Sequence, residues 1–202
     1  MKLIELHARA LESATEVVGA VRPEHLDLAT PCADWTLRRL LEHETGQRRG
    51  FTAAARGAGP DLALFADAPV GADPADAFRR TGAELTAAFR EAAEAERGLW
   101  LPEILTTAPV PLDRAVGFHL VDTLVHGWDI AAALGTPDRL ITAVEADGEL
   151  LAVLEAVTEA VPDTPEARAP GKAFRPGLVP GDGGGRFARV LALLGRDPAW
   201  KG

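Results

Sequence analysis

The 202-residue chain is expected to be all-α, on three observations. Hydrophobic residues make up 47% of it but aromatic residues only 5%, with no tyrosine, so its apolar content is mostly Ala, Leu and Val. Such a chain can build a full core, and its small and unbranched side chains suit helices better than strands, which draw on β-branched and aromatic residues. Apolar residues also recur at three- and four-residue intervals along several segments, the period of a helix with one buried face. Finally, Pro, Gly and capping residues stand at the ends of those segments.

The first helix is read over Leu3–Val21, with Leu3, Leu6, Ala10, Val17 and Val21 among its apolar positions and Pro23 ending it. A polar connection leads to a second helix from about Trp35 to Arg56, capped by Asp34 or Thr36. Residues 57–73 carry Gly57, Gly59, Pro60, Pro69 and Gly71 and read as a long loop, a class of segment that often borders binding sites. Asp73-Pro74 opens a third helix that runs to Arg97, with proline in the first turn and acidic residues near the N-terminus. Gly98–Pro111 reads as another connection. A fourth helix spans Leu112–Leu134 and stops at Gly135, with Pro137 just beyond. Asp138 caps a fifth that ends near Val161-Pro162. Residues 163–185 are rich in Pro and Gly and irregular apart from one short strand or turn, and Phe187–Leu194 forms a terminal helix. No internal repeat appears, so residues 1–202 are expected to form a single domain.

Composition excludes several function classes. A net charge of −9 and a pI near 5.0 leave no basic surface for phosphate backbones, and Arg38-Arg39 and Arg48-Arg49 are isolated pairs, so nucleic acid is not a partner. Cys32 is the only cysteine, which rules out an intrachain disulfide and a multi-cysteine zinc cluster. Met1–Ala10 carries Glu5, His7 and Arg9 instead of an apolar leader, and no stretch reaches the ~18 apolar residues of a spanning helix. A cytoplasmic protein without a membrane partner is therefore expected. Ser13 is the only serine and lacks a nucleophile elbow. Gly181–Gly185 lacks the residue order and preceding strand of a phosphate loop.

Function is signalled where polar residues invade apolar helix faces. On the second helix, Leu37, Leu40, Leu41 and Phe51 define the inward face at ~100° per residue. His43, Glu44 and Gln47 fall on or beside it. Buried polar groups are costly unless bonded, paired or bound to metal. On the fourth helix, apolar residues surround His119, Asp122, His126 and Asp129, which share a stripe roughly 80° wide. That stripe is either a buried His–Asp hydrogen-bond ladder or a metal site. Imidazole and carboxylate at i and i+4, as in Asp122 and His126, can grip one ion, with His43 from the facing helix as third ligand. Three protein ligands leave positions open for water or substrate, which favours chemistry over a structural role. Cys32, about three turns from His43, reads as packed and too distant to be a ligand. Trp35 and Trp128 read as core anchors, either of which could also line the pocket, and Asp129 as a residue that orients His126 or a helix neighbour.

Thr30-Pro31-Cys32-Ala33-Asp34-Trp35, followed by Leu40-Leu41-Glu42-His43, resembles the start of the second helix in the DinB/YfiT-like superfamily. The resemblance is closest to the actinobacterial branch around mycothiol-dependent maleylpyruvate isomerase. His119-Leu120-Val121-Asp122-Thr123-Leu124-Val125-His126-Gly127-Trp128-Asp129 and the terminal Leu194-Gly195-Arg196-Asp197-Pro198-Ala199-Trp200 are similar to the same proteins. The resemblance implies a DinB-like four-helix bundle in up-down-down-up order, with an additional helix and a short C-terminal extension. It also implies a divalent metal on His43, Asp122 and His126, where the isomerase has Glu in place of Asp122. His119, Asp129, Glu44 and Gln47 then form the surrounding shell, with His119 as a substitute ligand.

Carried over as function, the resemblance implies a metal-dependent thiol transferase or isomerase that acts on a small electrophile with a mycothiol-type cosubstrate. Zinc is the expected ion, with nickel, iron and manganese as alternatives. The isomerase also has a C-terminal domain that contributes to thiol binding, most of which this chain is expected to lack. A metal-dependent hydrolase that activates water and a non-catalytic, dimeric metal- or ligand-binding module are the rival readings. With no second cysteine, the reactive thiol is expected to arrive with the cosubstrate.

Overall fold

A computed structural model describes residues 1–32, 35–169, 173–181 and 184–202. Four long helices, α1 (Lys2–Val18), α2 (Leu37–Ala55), α3 (Pro74–Glu94) and α4 (Leu112–Ala133), carry most of the core. Helix α1 packs on α3 and α4, and α2 packs on the same two, so the four enclose a common interior. Helices α5 (Pro137–Ala146), α6 (Gly148–Glu159) and α7 (Arg186–Leu193) pack together on one side of α1 and α4. Among the described residues, no helix is long and apolar enough to cross a membrane.

The ends of these helices follow local chemistry. Thr36 caps α2 by accepting from the Arg39 amide, and Asp73 caps α3 by accepting from the Asp76 amide. Asp34, the other candidate for the α2 cap, lies outside the described residues. Helix α4 ends at Gly135, whose φ of +72° is the left-handed conformation that glycine tolerates best.

Three expectations need correction. The connection Gly98–Pro111 contains an antiparallel pair, β1 (Leu99–Leu101) and β2 (Leu105–Val110). Leu99 and Leu101 point inward from β1, whereas β2 is exposed until its last residue, Val110, so these three buried side chains hold the pair to the helices. The expected fifth helix is two helices, because the Asp147 carboxylate caps the Leu150 amide and starts α6 afresh. The N-cap of α5 is Thr136, with Pro137 at its first helical position, so Asp138 lies inside the first turn and does not cap it.

Two apolar clusters fill the interior. One contains Leu37, Leu40, Leu124 and Trp128, and the other contains Phe51, Leu85, Phe89 and Val116. Each fully buried Leu or Phe contributes about 1.5–3 kcal/mol of transfer free energy. Along α1, α2 and α4 the change from one cluster to the other falls beside His7, Arg48 and His119, all of them buried. A polar layer therefore crosses the middle of the core.

Candidate metal centre

The centre is assembled from the loop before α2, α2 itself, the loop after it, and α4. The Thr30 hydroxyl donates to the carbonyls of Cys32 and Trp35, which folds the chain tightly ahead of α2. Trp35 then stands beside His43, ring centroids 4.8 Å apart, and stacks on His126 at 6.1 Å. It walls the centre while its partly buried ring also packs against the core, and Trp128 lies fully buried within that core. The long loop after α2 is pressed onto that helix at Gly46 and Gly50, where a Cβ would collide with the Ala66 carbonyl and the Phe65 ring. Its Ala68 amide donates to the Glu42 carbonyl, and Asp67 arrives 3.5 Å from Nδ1 of His43.

Helix α4 supplies the other wall. Ligand atoms of His43, Asp122 and His126 all lie within 4.8 Å of one another. Asp122 Oδ1 is 3.5 Å from His126 Nε2, and His126 Nδ1 donates to Asp129 Oδ2 at 2.9 Å. A carboxylate on Nδ1 holds the ring proton there and leaves Nε2 as the bare nitrogen, facing Asp122. The residues present fit a divalent ion: two imidazoles and one carboxylate, with His43 and Asp122 only partly buried and so reachable from outside.

The electrostatics agree with that division. Burial alone would pull His126 down, but the charges of Asp122 and Asp129 outweigh it and raise its pKa above the ordinary value. Burial lowers His43 despite the opposing influence of Asp122 and Asp67. Burial would raise Asp129, yet Arg196 and His126 hold its carboxyl below the usual range. Glu44 is pushed up to about 8 by burial and by the neighbouring Asp122 charge.

Other candidate residues land elsewhere. His119 does not join the centre: its Nδ1 lies 2.9 Å from His7 Nε2 and 3.0 Å from the Thr123 hydroxyl, in the polar layer. Burial pulls both imidazoles down, His7 to about 3 and His119 well below its ordinary value, with Arg48 adding to the effect. Glu44 lies 3.6 Å from Arg48, whose guanidinium is fully buried over the Phe78 ring and donates to the Phe78 carbonyl. Gln47 donates to Glu103 at the tip of the β1–β2 pair.

Cys32 requires a correction of the opposite sense. Its sulfur lies within 4.8 Å of ligand atoms of His126 and Asp129, far closer than its distance along the chain from His43 suggests. The turn held by Thr30 brings it there. Burial pushes its thiol up to about 11, so it is protonated near neutral pH. Sequence reasoning also missed Asp67, hidden in a loop of irregular register, and the His7 partner of His119. The one available signal for His7 was a histidine among the apolar positions of the first helix.

Residues 7–131 of the chain match the family model described as the mycothiol maleylpyruvate isomerase N-terminal domain. Two relatives are uncharacterized proteins of Mycobacterium tuberculosis, one from strain CDC 1551 / Oshkosh and one from strain ATCC 25618 / H37Rv. Each is 30% identical over 173 residues, covering 83% of this chain and 83% of its own length. No solved structure matches the chain.

Proposed function

Because the chain belongs to the mycothiol maleylpyruvate isomerase N-terminal domain family, we propose that it is a divalent-metal-binding, thiol-dependent transferase or isomerase acting on a small electrophile. The observation that carries this reading is the convergence of His43, Asp122 and His126 from two helices. The packing of α1 to α4 around a common interior supports a DinB-like four-helix bundle, which builds metal sites from facing helices. Zinc suits two imidazoles and one carboxylate.

When bound, such an ion supplies Lewis acidity that lowers the pKa of a thiol, so that the nucleophilic anion forms near neutral pH. The protein's own part is positioning. Asp67 and Asp129 stand on Nδ1 of the two imidazoles and set their orientation. Trp35 covers both rings and narrows access from solvent. Cys32, held as a protonated thiol, leaves the nucleophile to be brought by a cosubstrate of the mycothiol type.

The test begins with metal analysis of tag-free protein, which should show about one ion per chain, lost in His43→Ala. Incubation with mycothiol and a small electrophile should then consume thiol faster than in the His126→Ala variant. Equal rates would remove the thiol-transfer reading, and consumption of the electrophile without thiol would replace it with hydrolysis.

A further inference from the structure

We infer that Arg196 is a positioning residue through which the C-terminal segment sets the metal affinity of the centre, an inference that rests on the metal-site reading above. The Asp129 carboxylate is fully buried between two partners. On one side it accepts from His126 Nδ1; on the other it accepts from Arg196, with Nη2 at 3.2 Å from Oδ2 and Nε at 3.5 Å from Oδ1. Arg196 is itself 3% exposed. A buried carboxylate is held in place by the partners bonded to its oxygens, so the Arg196 fork fixes the Asp129 carboxylate against His126 Nδ1. Without that fork the carboxylate is free to turn away from Nδ1, and the ring orientation and tautomer that present Nε2 to Asp122 are no longer enforced.

The placement of Arg196 is built, not incidental. Its backbone amide donates to the Leu191 carbonyl and its Nη1 donates to the Leu194 carbonyl. The chain reverses at Gly195, where φ is +75° and a Cβ would come within 2.7 Å of the Arg175 side chain. Only glycine fits both conditions. Arg168 braces the segment by donating to the carbonyls of Pro162, Arg175 and Leu193. All of this lies beyond residues 7–131, so a group outside the matched family domain holds the far end of a relay that ends at a candidate ligand.

The experiment uses the full chain as wild type, Arg196→Met, Arg196→Lys and Asp129→Asn. Zinc affinity is read by competition with a chromophoric chelator. The His126 tautomer is read by nitrogen–proton NMR on zinc-free protein, at a pH where the ring is neutral. Arg196→Met and Asp129→Asn should each weaken zinc binding by ~10–100-fold, and both should release the ring proton from Nδ1. Arg196→Lys, which keeps the charge but not the fork, should recover part of the affinity. If Arg196→Met retains both the wild-type zinc affinity and the wild-type tautomer, the inference is overturned. Should Arg196→Met fail to fold, the lysine variant and the wild-type tautomer decide: unchanged zinc affinity in Arg196→Lys, or a wild-type proton on Nε2, refutes the relay. A wild type that takes up no zinc would sink the metal reading instead, and the tautomer comparison would still judge Arg196.

Discussion

His119 and His126 occupy the same stripe of α4, about two turns apart, and both are buried. Their surroundings differ in kind. His119 faces another imidazole and lies under the influence of Arg48, with the rings of Phe51 and Phe89 against it. Burial, the neighbouring imidazole and Arg48 all disfavour a positive ring, and its pKa is driven down. His126 faces Asp122 and Asp129, and its pKa is driven up. One is a neutral crosslink in the polar layer of the core; the other is flanked by anions, a setting that suits a candidate ligand for a cation. A residue type at helical spacing therefore does not define a site. The groups packed against each ring do: Asp122 and Asp129 of the same helix for His126, and His7 of α1 and Arg48 of α2 for His119.

The sharpest way to break this contrast is to remove each ring in turn. His126→Ala should cost at least ~100-fold in zinc affinity, whereas His119→Ala should leave it within about threefold, since only the first is a candidate ligand. Chelator competition checks both, and similar losses in the two variants would erase the distinction. Stability should respond the other way. His119→Ala opens a cavity and strips His7 of its partner, so it should destabilise the zinc-free protein by about 2–4 kcal/mol in urea unfolding.

Acid should sharpen the contrast further. His7 and His119 have folded pKa values below the ordinary 6.5, so the unfolded chain binds their protons first. The stability they confer is complete above 6.5 and lost as pH falls toward about 3 for His7, at roughly 1.4 kcal/mol per pH unit per group. His126 has the opposite sign: its raised pKa stabilises the zinc-free fold below 6.5, and that contribution fades as pH rises through the folded value. Titration by urea melts of wild type and His119→Ala separates them, because the variant should show a shallower acid loss. The smallest effect belongs to Asp67, which meets His43 at 3.5 Å in a partly exposed position. Asp67→Asn should change zinc affinity by no more than about fivefold, as exposed ion pairs contribute up to about 1 kcal/mol. A larger drop would make Asp67 part of the centre proper.

Much of this was legible in the sequence because it is local. The four long helices declare themselves by apolar period and caps, and Asp122, His126 and Asp129 are neighbours by helical spacing alone. His43 could be paired with them because its helix shows the same conflict between polarity and an inward face. The rest depends on long-range placement. Nothing in the spacing of α4 separates His119 from His126, because the separation comes from His7 on another helix. Cys32 and Arg196 reach the centre through turns whose direction is set by a threonine hydroxyl and a glycine conformation. The β1–β2 pair escaped because three inward-alternating residues with a proline beyond them carry too short a period to read.

The position of Trp35 has a practical consequence for spectroscopy. The protein contains four tryptophans and no tyrosine, so its near-ultraviolet emission comes from indole alone. One of those indoles lies against both candidate imidazole ligands. Loading of the centre, or protonation of either ring, should change the quenching of that indole, as an emission titration with zinc or acid would read. The unlabelled molecule thus carries its own optical probe of occupancy, and Trp35→Phe supplies the blank.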